Sequence, residues 1–328
     1  MEIALIGSSG HTGYVTDEID RSDVTVVGVA PGSSGEDVSD LYESVGEQCP
    51  SATRYDSAGE LLDGAEPDLV AVSCQFGDLA SVSRAALERD VHVFTEKPPA
   101  TTLDDLDRLR TAYADADAEL AGMFGIRYDP WFYTAYERVE SGAVGEVRLV
   151  DARKSYRLGS RAEFYRSRET YGGTIPWVGI HAVDWVNWVT DSAFESVFAR
   201  HSARQNRGHG DLETSAVATF ELDGETLATV TADYYRPETA PTHGDDRLRV
   251  VGTEGVVEVR NGEVLLIDDG AEGERRLPQE DPGGIFADFL SSLEGDGPCM
   301  VSAEESFKAT EVSLKARQAA DEGTTVTL

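Results

Sequence analysis

The stretch IALIGSSGHTG, residues 3–13, decides the fold. An apolar run stops at Gly7, and glycine recurs at positions 10 and 13. Gly7 permits a tight turn after a strand. Gly10 lets backbone come close to a phosphate, and Gly13 allows a following helix to pack on the strand. The N–H groups of Ser8, Ser9 and His11, with the helix N-terminus, then form a cradle for a pyrophosphate. The spacing is G-x-x-G-x-x-G, looser than G-x-G-x-x-G, and a plain strand–turn–helix would read the same. Position separates the two readings, because the loop opens a regular alternation of strand and helix patterns.

Short apolar runs follow at 24–30, 69–73, 91–95 and 120–124, with amphipathic stretches at 79–87 and 103–113. Such alternation implies a parallel sheet covered by helices. The pattern changes near Gly125. Residues 130–141 read as a helix, 145–157 as a strand, and 171–190 as a helix preceded by a loop. From 194 to 268 strand signals are separated by turns such as Asp223-Gly224 and Asn261-Gly262, which join antiparallel neighbours. Helix patterns at 285–293 and 303–320 close the chain. The expected class is α/β. A dinucleotide-binding domain spans 1–124 and an α+β domain with an open, mostly antiparallel sheet spans 125–328. The last helices are free to pack back on the first domain.

The 328 residues exceed what one ordinary core supports, which agrees with two domains. The formal charge is −33, from 61 acidic and 28 basic residues. A surface of that sign repels nucleic acid and anionic membrane. The acidity is spread along the chain, and only 4 of the basic residues are lysine, a pattern expected of a salt-adapted source. Cys49, Cys74 and Cys299 stand far apart without a CxxC pair, so neither a disulfide framework nor a metal site is expected. The N-terminus lacks a basic segment followed by a long apolar run, and a cytoplasmic location is expected.

The second strand ends VVGVAPGSSGED, residues 26–37, with Pro31 where an acid would bind the ribose 2′-hydroxyl. Glu36 or Asp37 is within reach of a ribose, the serines tolerate a 2′-phosphate, and no arginine stands nearby. NAD and NADP therefore both remain open. Another buried strand ends in Glu96-Lys97-Pro98-Pro99, at the strand terminus where ligands bind in this architecture. The prolines hold Lys97 in stiff, extended backbone.

Several segments together, AALERDVHVFTEKPPATTLDDLDRL, GMFGIRYDPW, SGAVGEVRLV, GGTIPWVGIHAVDW and the closing FADFLSSLEGDGPCMVSAEESFKATEVSLKARQAADEG, resemble the Gfo/Idh/MocA oxidoreductase family over nearly the whole chain. The resemblance implies a Rossmann domain and a nicotinamide cofactor. It implies a sugar, polyol or related small-molecule substrate, and a homodimer or homotetramer joined through the second sheet. It assigns Lys97 a place near the nicotinamide and the reacting hydroxyl, with a Lys97–Pro98 bond that is often cis. His181 matches the family's histidine, a base of near-neutral pKa suited to taking a hydroxyl proton.

The chain departs from the family at two places. An aspartate commonly stands four residues before the histidine, and here that position is Trp177. The Thr-Pro-Asn segment bordering the nicotinamide is replaced by Ser73, Cys74, Gln75, Phe76 and Gly77, of which Ser73 and Gln75 are expected beside the cofactor. Arg127, Tyr165, Arg168, Trp177 and Asp184 are the expected substrate contacts. Asp184 is also placed to orient the His181 ring. The primary expectation is hydride transfer at a CH–OH group. The alternatives are a redox-neutral reaction with transient cofactor oxidation, or a non-catalytic dinucleotide-binding regulator.

Overall fold

A computed structural model describes residues 1–19, 23–268, 270 and 273–328. The chain forms two compact units. The first comprises Met1–Gly125, Glu169–Gly172 and Gly283–Thr310, and the second comprises Ile126–Arg168, Gly173–Pro282 and Glu311–Leu328.

The first unit is built on six parallel strands: β1 (Glu2–Ile6), β2 (Thr25–Ala30), β3 (Thr53–Arg54), β4 (Leu69–Val72), β5 (His92–Thr95) and β6 (Leu120–Gly122). Their order is β3-β2-β1-β4-β5-β6. The direction of winding reverses between β1 and β4, which opens a crevice at their C-terminal ends. All four residues of β4 are buried, as expected for a strand with helices on both faces. The connecting helices are α1 (Gly13–Thr16), α2 (Ser39–Gln48), α3 (Ala58–Ala65), α4 (Leu79–Leu87) and α5 (Leu103–Asp115). Ser57 caps α3 by accepting from the Glu60 N–H, and Thr102 caps α5 by accepting from the Asp105 N–H.

The second unit carries a nine-stranded sheet: β7 (Val147–Ser155), β8 (Phe194–Ser202), β9 (Ser215–Leu222), β10 (Leu227–Asp233), β11 (Arg247–Gly252), β12 (Gly255–Arg260), β13 (Glu263–Asp268), β14 (Arg275–Arg276) and β15 (Thr325–Thr327). The order is β14-β13-β12-β11-β7-β10-β9-β8-β15. Every described pair is antiparallel except β7 with β10. The turn at Asn261-Gly262 has φ of 53° and 73°, the geometry of a two-residue hairpin loop. Helices α6 (Pro130–Glu140) and α8 (Ile180–Thr190) pack on one sheet face, and a short helix α7 (Arg168–Tyr171) precedes α8. Alternation along β8 and β9 leaves Phe198 and Val217 exposed on the opposite face. Helix α9 (Ile285–Glu294) belongs to the first unit, where Phe289 stacks on Phe94 of β5 and Phe286 meets that ring at a tilt. Helix α10 (Ala303–Glu322) is long, yet no described helix is long and apolar enough to cross a membrane.

Candidate active site

The glycine loop follows β1 directly, beside the β1/β4 switch point. Gly7 has φ +87°, and its N–H donates to the Ala30 carbonyl at 2.8 Å. A Cβ there would lie 2.6 Å from the backbone of Cys74, so both conformation and space demand glycine. The Ser9 N–H donates to the carbonyl of Ser73, itself buried at the end of β4. Gly10 has φ +107°, and a Cβ there would collide with the Glu96 carboxylate. The expected role of Gly13 is corrected. A Cβ at Gly13 would meet only an Asp17 oxygen at 3.8 Å, so helix packing does not require its bareness.

Glu96 is the hub of this loop. It is fully buried just beyond β5. One carboxylate oxygen accepts from the His11 N–H and contacts His11 Nδ1, both at 2.7 Å, and the other accepts from the Lys97 N–H at 2.8 Å. Burial pushes the Glu96 carboxyl up, but His11 and Lys97 outweigh it and hold it below its ordinary value. The His11 ring stacks on Tyr14 at 5.2 Å. Lys97 is fully buried, and its bond to Pro98 is cis.

Of the two acids that the sequence offered in the turn after β2, Glu36 is the one that reaches the glycine loop. Glu36 accepts from the Ser8 N–H and the Ser9 hydroxyl, both at 3.0 Å. It also accepts from the Gly32 N–H at 3.0 Å and the Ser33 N–H at 3.2 Å. The Ser33 hydroxyl in turn accepts from the Gln75 N–H at 3.1 Å, which ties the segment after β4 to the same turn. Burial, then the Glu36 charge, pushes the Cys74 thiol far up, which favours the neutral thiol.

In the second unit, His181 sits in the first turn of α8 and is 2% exposed. A π-helical turn at Ile175–Gly179 leads into it. That turn widens the register ahead of His181, so a four-residue spacing no longer stacks Trp177 directly on its face. Trp177 is buried, with its ring edge-on to Tyr165 at 6.2 Å between centroids. Arg127 and Asp184 bind each other. Arg127 Nη2 and Nε donate to the Asp184 oxygens at 2.6 and 3.0 Å, and both side chains are almost completely buried. Arg127 also lies over the Trp188 ring. Arg168 spans Glu213 and Asp321, and Glu213 accepts the Thr174 N–H at 3.1 Å just ahead of the π turn.

Local sequence patterns do not reveal the partners of Lys154. At the end of β7, Lys154 is 2% exposed, and its Nζ donates to Asp246 at 2.5 Å. Asp129, at the start of α6, is pushed up to about 6 by burial and by Asp246, against the pull of Lys154. These residues lie 25 to 117 positions apart along the chain, and no spacing rule links them.

Two family models cover most of the chain. Residues 1–121 match the NAD-binding Rossmann fold of the oxidoreductase family, and residues 132–258 match the GFO/IDH/MocA C-terminal domain. The chain belongs to the Gfo/Idh/MocA oxidoreductase family. This oxidoreductase is 46% identical to a solved structure described as “putative oxidoreductase from Thermotoga maritima”, with all of both chains covered and a TM-score of 0.95. It is 25% identical to myo-inositol 2-dehydrogenase of Thermotoga maritima over 84% of each chain. It is 26% identical to 1,5-anhydro-D-fructose reductase of Ensifer adhaerens over 91% of this chain and 92% of that one. Matches to curated relatives are not all so long, and that to YteT of Bacillus subtilis spans 35% of that protein. The positive-φ glycines of this oxidoreductase allow the close backbone approach that a dinucleotide pyrophosphate needs, but the expected cradle of free amides is corrected, because the Ser8, Ser9 and His11 N–H groups donate to Glu36, Ser73 and Glu96.

Proposed function

We propose that this oxidoreductase transfers hydride between NAD and a CH–OH carbon of a sugar- or polyol-like substrate. The observation that carries the reading is Lys97, one of four lysines in the chain, fully buried beside an ionised Glu96 at the end of β5. A lysine is buried at this cost only where its charge has a partner or a task. Lys97 orients the reacting hydroxyl and stabilises the developing alkoxide. His181 takes the hydroxyl proton at a ring nitrogen in oxidation and returns it in reduction. NAD, when bound, supplies the hydride acceptor. Dehydrogenation and reduction of polyols and anhydro sugars by the named relatives support this substrate class.

The same reading prefers NAD to NADP. The Glu36 carboxylate, held by four donors at the mouth of the glycine loop, is an acceptor for ribose hydroxyls and a like charge against a 2′-phosphate.

The test is Lys97→Met assayed with both cofactors on a panel of sugars, polyols and their acids. Turnover is expected to fall by about 1,000-fold or more, roughly 4 kcal/mol of transition-state stabilisation, while NAD affinity stays within a few-fold. Unchanged turnover would remove Lys97 from the mechanism. Build-up of reduced-nicotinamide absorbance on mixing distinguishes net oxidation from redox-neutral chemistry.

A further inference from the structure

Most described arginines of this acidic chain have a carboxylate within 4 Å, as the surface charge would lead one to expect. Arg157 and Arg161, in the segment that follows β7, have none among the described residues. Arg157 Nη2 donates to the Ala240 carbonyl and Arg161 Nη2 to the Arg157 carbonyl, so neither contact neutralises charge. The Nε of each is buried without a hydrogen-bond partner among the described residues. A half-buried guanidinium with unused donors is costly to maintain, and its fork suits a carboxylate or phosphate group.

Neighbouring rings hold Arg161 in place. The Arg161 guanidinium lies 4.8 Å from the Tyr234 ring centre and 5.5 Å from that of Tyr165. Tyr156 packs beside Tyr234 and His243. The local acids are already engaged. Asp246 pairs with Lys154, and Asp245 pairs with Arg153, Arg236 and Arg247. The charges of Arg161, Arg157 and Lys154 all reach His243, which burial first and then these cations hold below its ordinary value. The region is therefore a positive island in a molecule of charge −33. It connects through Tyr165 to Trp177, in the π turn that leads into the helix of His181.

We infer that Arg157 and Arg161 form a subsite for an anionic group on the substrate, a carboxylate or a phosphate. The inference rests on the hydride-transfer reading for its substrate, and it narrows that class from neutral polyols to acidic sugars.

The experiment has two arms. In the first, wild type and Arg161→Ala, with Arg161→Lys as a charge-preserving control, are assayed with NAD on glucose, glucuronate and glucose 6-phosphate at one ionic strength. The expected result is a kcat/KM at least about tenfold higher for one of the two acids than for glucose. That ratio falls toward one in Arg161→Ala and is partly kept in Arg161→Lys. Which acid is favoured identifies carboxylate or phosphate. A ratio near one in wild type, or a ratio unchanged in Arg161→Ala, overturns the subsite and leaves the hydride reading intact. In the second arm, calorimetry measures binding of glucuronate and inorganic phosphate to wild type and to an Arg157→Ala, Arg161→Ala variant of matched melting temperature. If no sugar is oxidised the hydride reading fails, and this arm still decides the subsite. Anion binding lost in the variant supports it. Equal binding by both proteins, or none by wild type, ends it.

Discussion

Glu36 and Asp129 are both carboxylates near loops, and their surroundings treat them in opposite ways. Glu36 receives four hydrogen bonds and gives the glycine loop an internal anion. Replacing it with alanine leaves the Ser8, Gly32 and Ser33 amides open to a phosphate. In Glu36→Ala the NAD-to-NADP ratio of kcat/KM is expected to fall by about tenfold to 100-fold, roughly 1.4 to 2.8 kcal/mol. An unchanged ratio would show that the carboxylate does not read the ribose. Asp129 has no such donors, and its folded value of about 6 lies above its ordinary 3.8. The folded state keeps a proton that the unfolded chain releases. This raised value therefore favours folding most at low pH, and the contribution is lost as pH rises through about 6. Asp129→Asn is expected to stabilise the protein at pH 7 by about 1–2 kcal/mol, after allowance for partial exposure. The gain should vanish near pH 4, and denaturant melts at the two pH values check it.

At the scale of the element, α8 is the piece that pattern reading described well and understood incompletely. Its apolar sequence was legible as a buried helix, and all residues but Thr190 are indeed buried. The π turn ahead of it was not legible, because widening the hydrogen-bond register by one residue leaves no compositional mark. Nor was the anchoring of the helix. Arg127 and Asp184 read as substrate contacts from the sequence, whereas the structure pairs them through several hydrogen bonds while both side chains are buried. Breaking a buried pair leaves an uncompensated charge, which typically costs about 3–5 kcal/mol. Asp184→Asn should lower stability by about that amount, read in urea unfolding. If folding is intact and only KM rises, the pair contacts substrate after all.

The scale of the whole molecule is where charge acts. A formal −33 spread over two units makes each of them repel itself at low ionic strength. Salt shortens the range of that repulsion to about 3 Å at 1 M. The melting temperature is therefore expected to rise steadily as sodium chloride increases from about 0.1 M to about 2 M. A flat or falling curve in scanning calorimetry would remove salt adaptation as the reason for the acidity.

Whereas the close approach at Gly10 proved to be to the Glu96 carboxylate, the sequence by itself determined the alternation of strands and helices, the turn at Gly7 and the stiff backbone around Lys97. These are local matters: periodicity, the φ that only glycine takes easily, and the stiffness that proline imposes act within a few residues. Tertiary structure alone decided that Glu36, not Asp37, folds back on the glycine loop 28 positions away, that Arg127 finds Asp184 across 57 positions, and that Arg157 and Arg161 pair with no carboxylate among the described residues. Long-range pairing of charges depends on which side chains the folded backbone brings within a few ångströms. In a chain with 61 acids, the sequence offers too many equivalent partners to choose among.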